Sequence, residues 1–174
     1  ARRQRGVPRG ESLTIAEAIV DPSTVIGKNV TIREFAIIRP GVVLADGVKI
    51  GNFCILAGKP LSIGARTRLN AYVYISNGVT IGEDCFIGPR TTVLNVRFPQ
   101  ATNPAYREKI EPVIIEDRVK VGAHCLIMPG LTIGHDAMIA AGSLVTKSVE
   151  PYAIVLGSPA KVVGDVRTLE AYRR

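Results

Sequence analysis

Large aliphatic residues recur at every sixth position through most of this chain. From Val20 the step gives Ile26, Ile32, Ile38, Leu44, Ile50 and Leu56, and after one extra residue it resumes at Ile63 and runs through Leu69, Ile75, Ile81, Ile87 and Val93. A longer interruption follows, and the step returns as Ile115, Val121, Ile127, Ile133, Ile139 and Val145. Four residues after each of these stands a second, mostly small or β-branched residue, as at Val30, Ala36, Cys54, Thr67, Thr91 and Ser143. Two inward positions in six match neither the 3.6-residue period of a helix nor the two-residue alternation of a long strand. They describe a short strand followed by a corner. Glycine just after the large aliphatic, at Gly27, Gly51, Gly64, Gly82, Gly88, Gly122 and Gly134, punctuates those corners. Three hexads close one triangular coil of about 18 residues. Coils stacked at roughly 4.8 Å pair their backbones as parallel strands. A β-sandwich would show turns every 8 to 12 residues or so and would not hold a six-residue phase. The fold class is therefore all-β, a parallel β-helix.

Composition agrees with a stacked aliphatic interior: 47% of the residues are hydrophobic, yet only 5% are aromatic and Trp is absent. A net charge of +7 favours anionic partners such as phosphorylated cofactors and nucleotide-linked substrates. No aromatic-studded basic face accompanies that charge, so nucleic acid is not expected as a partner. The basic stretch 1–13 leads into no apolar run, and no segment has the length of a membrane span. The expectation is a cytoplasmic protein with no membrane insertion. Cys54, Cys85 and Cys125 all fall on inward positions without zinc-ligand spacing, as free thiols of a reducing compartment would.

The pattern divides the chain into a basic N-terminal tail over 1–13, coils over 14–150 and a C-terminal cap and tail over 151–174. A short capping helix is expected in DVRTLEAYRR, because an apolar solenoid end needs a cover. Two departures from phase mark surface features. Lys59-Pro60-Leu61-Ser62 holds the single-residue insertion, expected as a bulge at one corner. The polar excursion over about 96–111 is of a length that is usually functional in a compact solenoid.

The Leu/Ile/Val-Gly-x-x-small-x repeat over roughly 20–150 resembles that of the hexapeptide-repeat acyltransferases. The run AAGSLVTKSVEPYAIVLGSPAKVVG looks like that family's acetyl-coenzyme A end. The resemblance implies left-handed winding, a homotrimer with active sites between neighbouring subunits, and acetyl-CoA as cosubstrate with no metal required. A finer similarity is to bacterial N-acetyltransferases of nucleotide-linked amino sugars, in which Gly-Pro is followed by Asn-Val and then Pro before a loop. Here these are Gly88, Pro89, Asn95, Val96 and Pro99. Sugar O-acetyltransferases instead carry His-Pro at the place of Asn95-Val96. Gln100 stands where the amino-sugar enzymes commonly have Arg, so the acceptor stays open between an amine and a hydroxyl.

A neutral amine is already nucleophilic, which relaxes the need for a strong base. Asn95, two residues past Val93 beside the excursion, is the candidate catalytic residue, its amide placed to hold the acceptor amine or a developing oxyanion. His124 is the candidate base or acceptor contact. Counting hexads puts Asn95, His124 and His135 on three different faces of one subunit, so Asn95 and His124 would meet only across a trimer interface; His135 is expected on the surface. The resemblance assigns the pantetheine arm to backbone groups of Ala123 and Ala141, and the nucleotide end of the cofactor to Thr146, Lys147 and Lys161. Asn77, Arg97 and Arg107 are the expected contacts of an amino-sugar acceptor. Two other classes were weighed. A zinc enzyme built on this coil needs three histidines, and only His124 and His135 exist. A non-catalytic scaffold would bind no cofactor.

Overall fold

Each large aliphatic ends a strand of two or three residues, and the corner after it turns the chain onto the next face. In the computed structural model, which describes residues 14–100 and 109–170, these strands form three sheets. The first face has nine strands and includes Lys49–Ile50, Arg68–Leu69, Phe86–Ile87, Lys120–Val121 and Met138–Ile139. The second has seven, among them Tyr74–Ile75, Thr92–Val93, Leu126–Ile127 and Leu144–Val145. The third has six, among them Leu61–Ile63, Val79–Ile81, Val113–Ile115 and Thr132–Ile133.

Pairing is parallel and in register with the sequence period, Ile32 beside Ile50, Ile50 beside Leu69 and Leu69 beside Ile87. The aliphatics thus stack in buried columns. Each such side chain contributes about 1.5–3 kcal/mol relative to exposure. The fold is a parallel β-helix, consistent with the left-handed winding that the repeat implies. Val20 and Ile26 are only partly buried, because they belong to the terminal coil and have packing on one side alone. The excursion uses no coil. The chain leaves after Thr92–Val93 on the second face and returns as Val113–Ile115 on the third, where Ile115 pairs with Ile81.

The third residue after the aliphatic carries a feature that the hexad count did not anticipate. It has positive φ at corner after corner, whatever its type: Phe35 (61°), Phe53 (58°), Tyr72 (61°), Arg90 (60°) and His124 (55°) on one edge, Arg66, Asp84, Arg118 and Asp136 on another. Bulky residues rarely adopt this conformation. Here the stack fixes it, since each corner N–H donates to a carbonyl of the coil before, as His124 does to Pro89 (2.9 Å) and Arg90 to Ala71 (3.0 Å). The glycines after the aliphatics do other work. A Cβ at Gly88 would lie 2.5 Å from the Gly122 carbonyl carbon, so these positions let neighbouring coils touch.

The inward small polar residues satisfy corner carbonyls. Thr91 Oγ1 donates to Gly122 O (2.9 Å), Thr67 Oγ1 to Gly82 O (2.7 Å), and the thiols of Cys54, Cys85 and Cys125 to Asn70, Glu116 and Ala140 oxygens. All three cysteines are free and buried, as their phase requires. At the C-terminal end the cover is a hairpin. Ala153–Gly157 extends the first face beside Met138–Ile139 and Ala160–Asp165 folds back antiparallel to it. Of the short helix expected in DVRTLEAYRR, the described residues show a 3-10 helix, Val166–Thr168, capped by the Asp165 carboxylate, and residues 171–174 lie outside the described residues. The β-branched run in Lys161–Val163 favours hairpin over helix.

Candidate functional site

Most of the expected site residues fall on two edges of the solenoid, and these edges bound the second face. Where the first face turns into the second, the corner residues of successive coils form a column: Phe35, Phe53, Tyr72, Arg90, His124 and Gly142. Ala123 and Ala141 each precede the last two of these. Among the described residues neither Ala123 N–H nor Ala141 N–H donates to a protein acceptor, while Ala123 O takes the N–H of Gly142 (2.8 Å). The small side chains leave those donors open. Beside them a groove of about 550 Å³ runs onto the first face, lined by Phe86, Lys120, Gly122, Met138 and Ala141 among others. Its walls are mainly apolar, Asp84 and Lys120 are among its lining residues, and it reaches Ala141, one of the two backbone positions that the resemblance assigns to the pantetheine arm.

Where the second face turns into the third, Asn95 lies one coil above Asn77. Asn95 Nδ2 donates to Asn77 Oδ1 (2.5 Å) and Asn77 O (3.0 Å). Both Asn95 amide protons are thereby engaged, and its Oδ1 is left to accept. In this arrangement Oδ1 is the end of the Asn95 amide that faces away from Asn77. The stem of the excursion is tied to the same corner. Asn95 O accepts from Glu111 N–H (2.7 Å), Val96 bridges Ile110, and Arg97 joins Glu111 Oε2 (3.1 Å) and Pro129 O (2.5 Å). Arg97 is thus a clasp across the stem. Arg107 lies outside the described residues.

Thr146 and Lys147 follow on this second edge, after Leu144–Val145, and exposed Lys161 stands on the capping hairpin. Within one chain the expected residues therefore fall into separate groups. Ala123, His124 and Ala141 share the first edge, and Asn77, Asn95, Arg97, Thr146 and Lys147 share the second. Asn95 and His124 do not meet in a single chain, as the hexad count required.

The third edge is structural. Arg66 pairs with Asp84 (2.7 Å) and Glu83 (2.6 Å), and Arg118 pairs with Asp136 (2.9 Å). The Arg118 hydrogen bond holds the Asp136 carboxyl down to about 2. His135 sits in this network, Nδ1 3.0 Å from Asp136 and its ring edge-on to Tyr152. No group of three His, Cys, Asp or Glu that could hold a metal occurs among the described residues. Burial pushes the thiols of Cys54 and Cys85 up to about 11 and that of Cys125 upward, which removes them as nucleophiles.

The aromatic column escaped the sequence reading, although a signal existed. Phe35, Phe53, Tyr72, Arg90 and His124 occupy the same place in their hexads, one coil apart. Comparison of hexads three apart rather than one apart would have aligned them.

The six-repeat bacterial transferase hexapeptide pattern matches residues 23–58, 60–95 and 112–147. The chain belongs to this family. The bifunctional protein GlmU of Streptococcus uberis is 35% identical over 155 residues, covering 88% of this chain and 31% of that protein. The 2,3,4,5-tetrahydropyridine-2,6-dicarboxylate N-acetyltransferase of Halalkalibacterium halodurans is 34% identical over 144 residues, 80% of this chain and 55% of that one. The chain thus spans under a third of the GlmU relatives it matches. Among solved structures, the Bacillus cereus N-acyltransferase AntD, in complex with dTDP and 3-hydroxybutyryl-CoA, superposes with a TM-score of 0.72 at 28% identity over 82% of each chain. PerB of Caulobacter crescentus, in complex with CoA and GDP-perosamine, shares the fold with a TM-score of 0.55 at 20% identity, over 87% of this chain and 56% of that one. No helix among the described residues is long and apolar enough to cross a membrane.

Proposed function

We propose that this chain is an acyl-CoA-dependent N-acyltransferase, with acetyl-CoA as donor and the amine of a nucleotide-linked amino sugar as acceptor. The observation that carries the reading is the Asn95–Asn77 pair, which leaves an acceptor oxygen and no imidazole beside the excursion. Relatives and structural neighbours of N-acyltransferase function, crystallised with CoA derivatives and nucleotides, support the same class.

Ala123 and Ala141 N–H groups fit carbonyls of the pantetheine arm lying in the adjoining groove, and Thr146, Lys147 and Lys161 supply a hydroxyl and two point charges for phosphates. Asn95 Oδ1 accepts a hydrogen bond from the acceptor amine and turns its lone pair toward the thioester carbon. The C–N bond forms, the C–S bond breaks, and the amine proton leaves with the departing thiolate, which becomes the free thiol of CoA. Arg97 acts as a positioning residue by holding the stem that carries Asn95. Asn77 fixes the amide and remains an acceptor contact.

The site is complete only in an assembly, which we read as a homotrimer. The outward side chains of the second face include Ile37, Ile55, Tyr74, Leu126 and Leu144, with Thr92 the one polar member, a mostly apolar strip flanked by the two edges that hold the proposed site. Threefold packing across it brings His124 of one copy toward Asn95 of the next, where the imidazole serves as base or acceptor contact. The test is mass detection of acylated product from acetyl-CoA and dTDP- or UDP-linked amino sugars. Asn95→Ala should lower turnover roughly five- to tenfold, the worth of one hydrogen bond, with CoA affinity within about twofold of the parent protein. Turnover unchanged in Asn95→Ala removes Asn95 from the site, and acylation of hydroxyl sugars alone overturns the amine reading.

A further inference from the structure

The first edge holds an arginine whose placement the cofactor does not explain. Arg90 lies over the Tyr72 ring, its guanidinium carbon 5.1 Å from the ring centroid. Tyr72 stacks in turn on Phe53 (4.9 Å, 5° between planes), and Phe53 on Phe35 (5.0 Å). The rings face one another, so the column offers no free aromatic face between them. What it presents is a guanidinium over the last ring at its end, with the adjacent corner position occupied by His124.

Four other arginines are spent on carboxylates: Arg66 on Asp84, Arg97 on Glu111, Arg118 on Asp136 and Arg167 on Asp165. Arg90 is exposed and has no carboxylate partner among the described residues. Its backbone is fixed at a φ of 60° with its N–H on Ala71 O, and stacking fixes the far end of the side chain. A planar fork with unused N–H donors, held still by stacking, suits bidentate binding of phosphate oxygens. Direction along the column then identifies the ligand. The cofactor positions, Ala123 and Ala141, lie at the His124 coil and on the C-terminal side of it. Arg90 lies one coil, about 4.8 Å, on the N-terminal side of His124, on the same coil as Asn95 and on the side away from Ala141.

We infer that Arg90, seated on the Phe35–Phe53–Tyr72 column, is the diphosphate anchor of the acceptor, which makes the acceptor a nucleoside-diphosphate-linked sugar. The inference rests on the transferase reading and adds the residue that selects its substrate class. The cofactor's own pyrophosphate has the same chemistry, so the test separates the two.

The full chain is titrated calorimetrically with dTDP, UDP and GDP, and separately with CoA. Arg90→Asn is the main variant, because asparagine accepts the positive φ and keeps the corner folded. Tyr72→Leu removes the seat but keeps the charge, and Arg33→Asn removes an exposed arginine three coils away. At least one nucleoside diphosphate should bind. Arg90→Asn should weaken that binding tenfold or more, Tyr72→Leu by a smaller factor and Arg33→Asn not at all, with CoA affinity within twofold throughout. Equal diphosphate affinity in Arg90→Asn, or no diphosphate binding by the parent protein, overturns the anchor. So does a loss confined to CoA, which assigns Arg90 to the cofactor. Failure of the parent protein to bind CoA would instead count against the transferase reading, and Arg90-dependent diphosphate binding would still uphold the anchor.

Discussion

Gly122 lies where coil stacking meets the backbone proposed to hold the cofactor. Its N–H donates to Ile139 O (2.8 Å), and a Cβ added to it would stand 2.7 Å from Ala141 Cα and closer still to Ala141 N. Ordinary contact begins near 3.4 Å, so Gly122→Ala must open the two coils by about 0.7 Å or more, against backbone that has no rotamer to yield; overpacking of this kind costs about 1–3 kcal/mol. For a chain of this size that lowers the melting temperature by roughly 2–12 °C. The displaced atoms are those assigned to the pantetheine arm, and a misplacement approaching 1 Å at such a site weakens function by up to about a hundredfold. The assay is thermal unfolding together with CoA titration. Gly142→Asn is the stability control, because a Cβ there meets nothing within 4 Å and asparagine tolerates its φ of 75°; its melting temperature should stay within roughly 2 °C of the parent protein's. A Gly122→Ala protein that melts and binds CoA like the parent refutes both the close stacking and the site assigned to it.

Other consequences are equally direct. Leu126→Lys places a charge in the apolar second face and should convert the proposed trimer to single 18.6 kDa chains with loss of acyl transfer, read by light scattering and turnover; an active monomer excludes a shared site. The Asp136 carboxyl has a folded pKa of about 2 against 3.8 unfolded, so its ion pair with Arg118 contributes fully above about pH 4 and is lost as pH falls toward 2. Asp136→Asn should lower stability at neutral pH and flatten its decline over that acid window, and an unchanged acid profile would show that the pair contributes nothing. The thiols of Cys54, Cys85 and Cys125 should resist an aromatic disulfide reagent at pH 8 until the chain unfolds, because all are buried with raised pKa values; rapid labelling of native protein would contradict the sealed interior. Arg97→Ala should release the excursion stem and raise protease cleavage there without changing the melting temperature by more than a few degrees.

The coil, its three faces and the separation of Asn95 from His124 were legible because one inward aliphatic per hexad leaves a periodic record. The extra residue near Lys59 and the excursion shift that record without erasing it. The corner column was not legible from the same step, because stacking of Phe35, Phe53, Tyr72 and Arg90 depends on the coil period and on a shared positive φ at residues that seldom adopt it. The cap was legible only in part: the short helix in DVRTLE is present as the 3-10 helix Val166–Thr168, but the antiparallel hairpin before it breaks the hexad phase and left no periodic signal. The Asn95–Asn77 pair was not legible either: a sequence supplies two amides a coil apart, and only their stacking shows that Asn95 Nδ2 turns onto the Asn77 oxygens.

Dependence on an acyl-CoA donor is tested most directly by the unfolding midpoint of the full chain with and without acetyl-CoA. At a hundred times its dissociation constant a ligand of the folded state adds about 2.7 kcal/mol, and the midpoint should rise by roughly 5–11 °C. A midpoint that does not move while the protein is folded and assembled would contradict the transferase account and leave a β-helix without a cofactor.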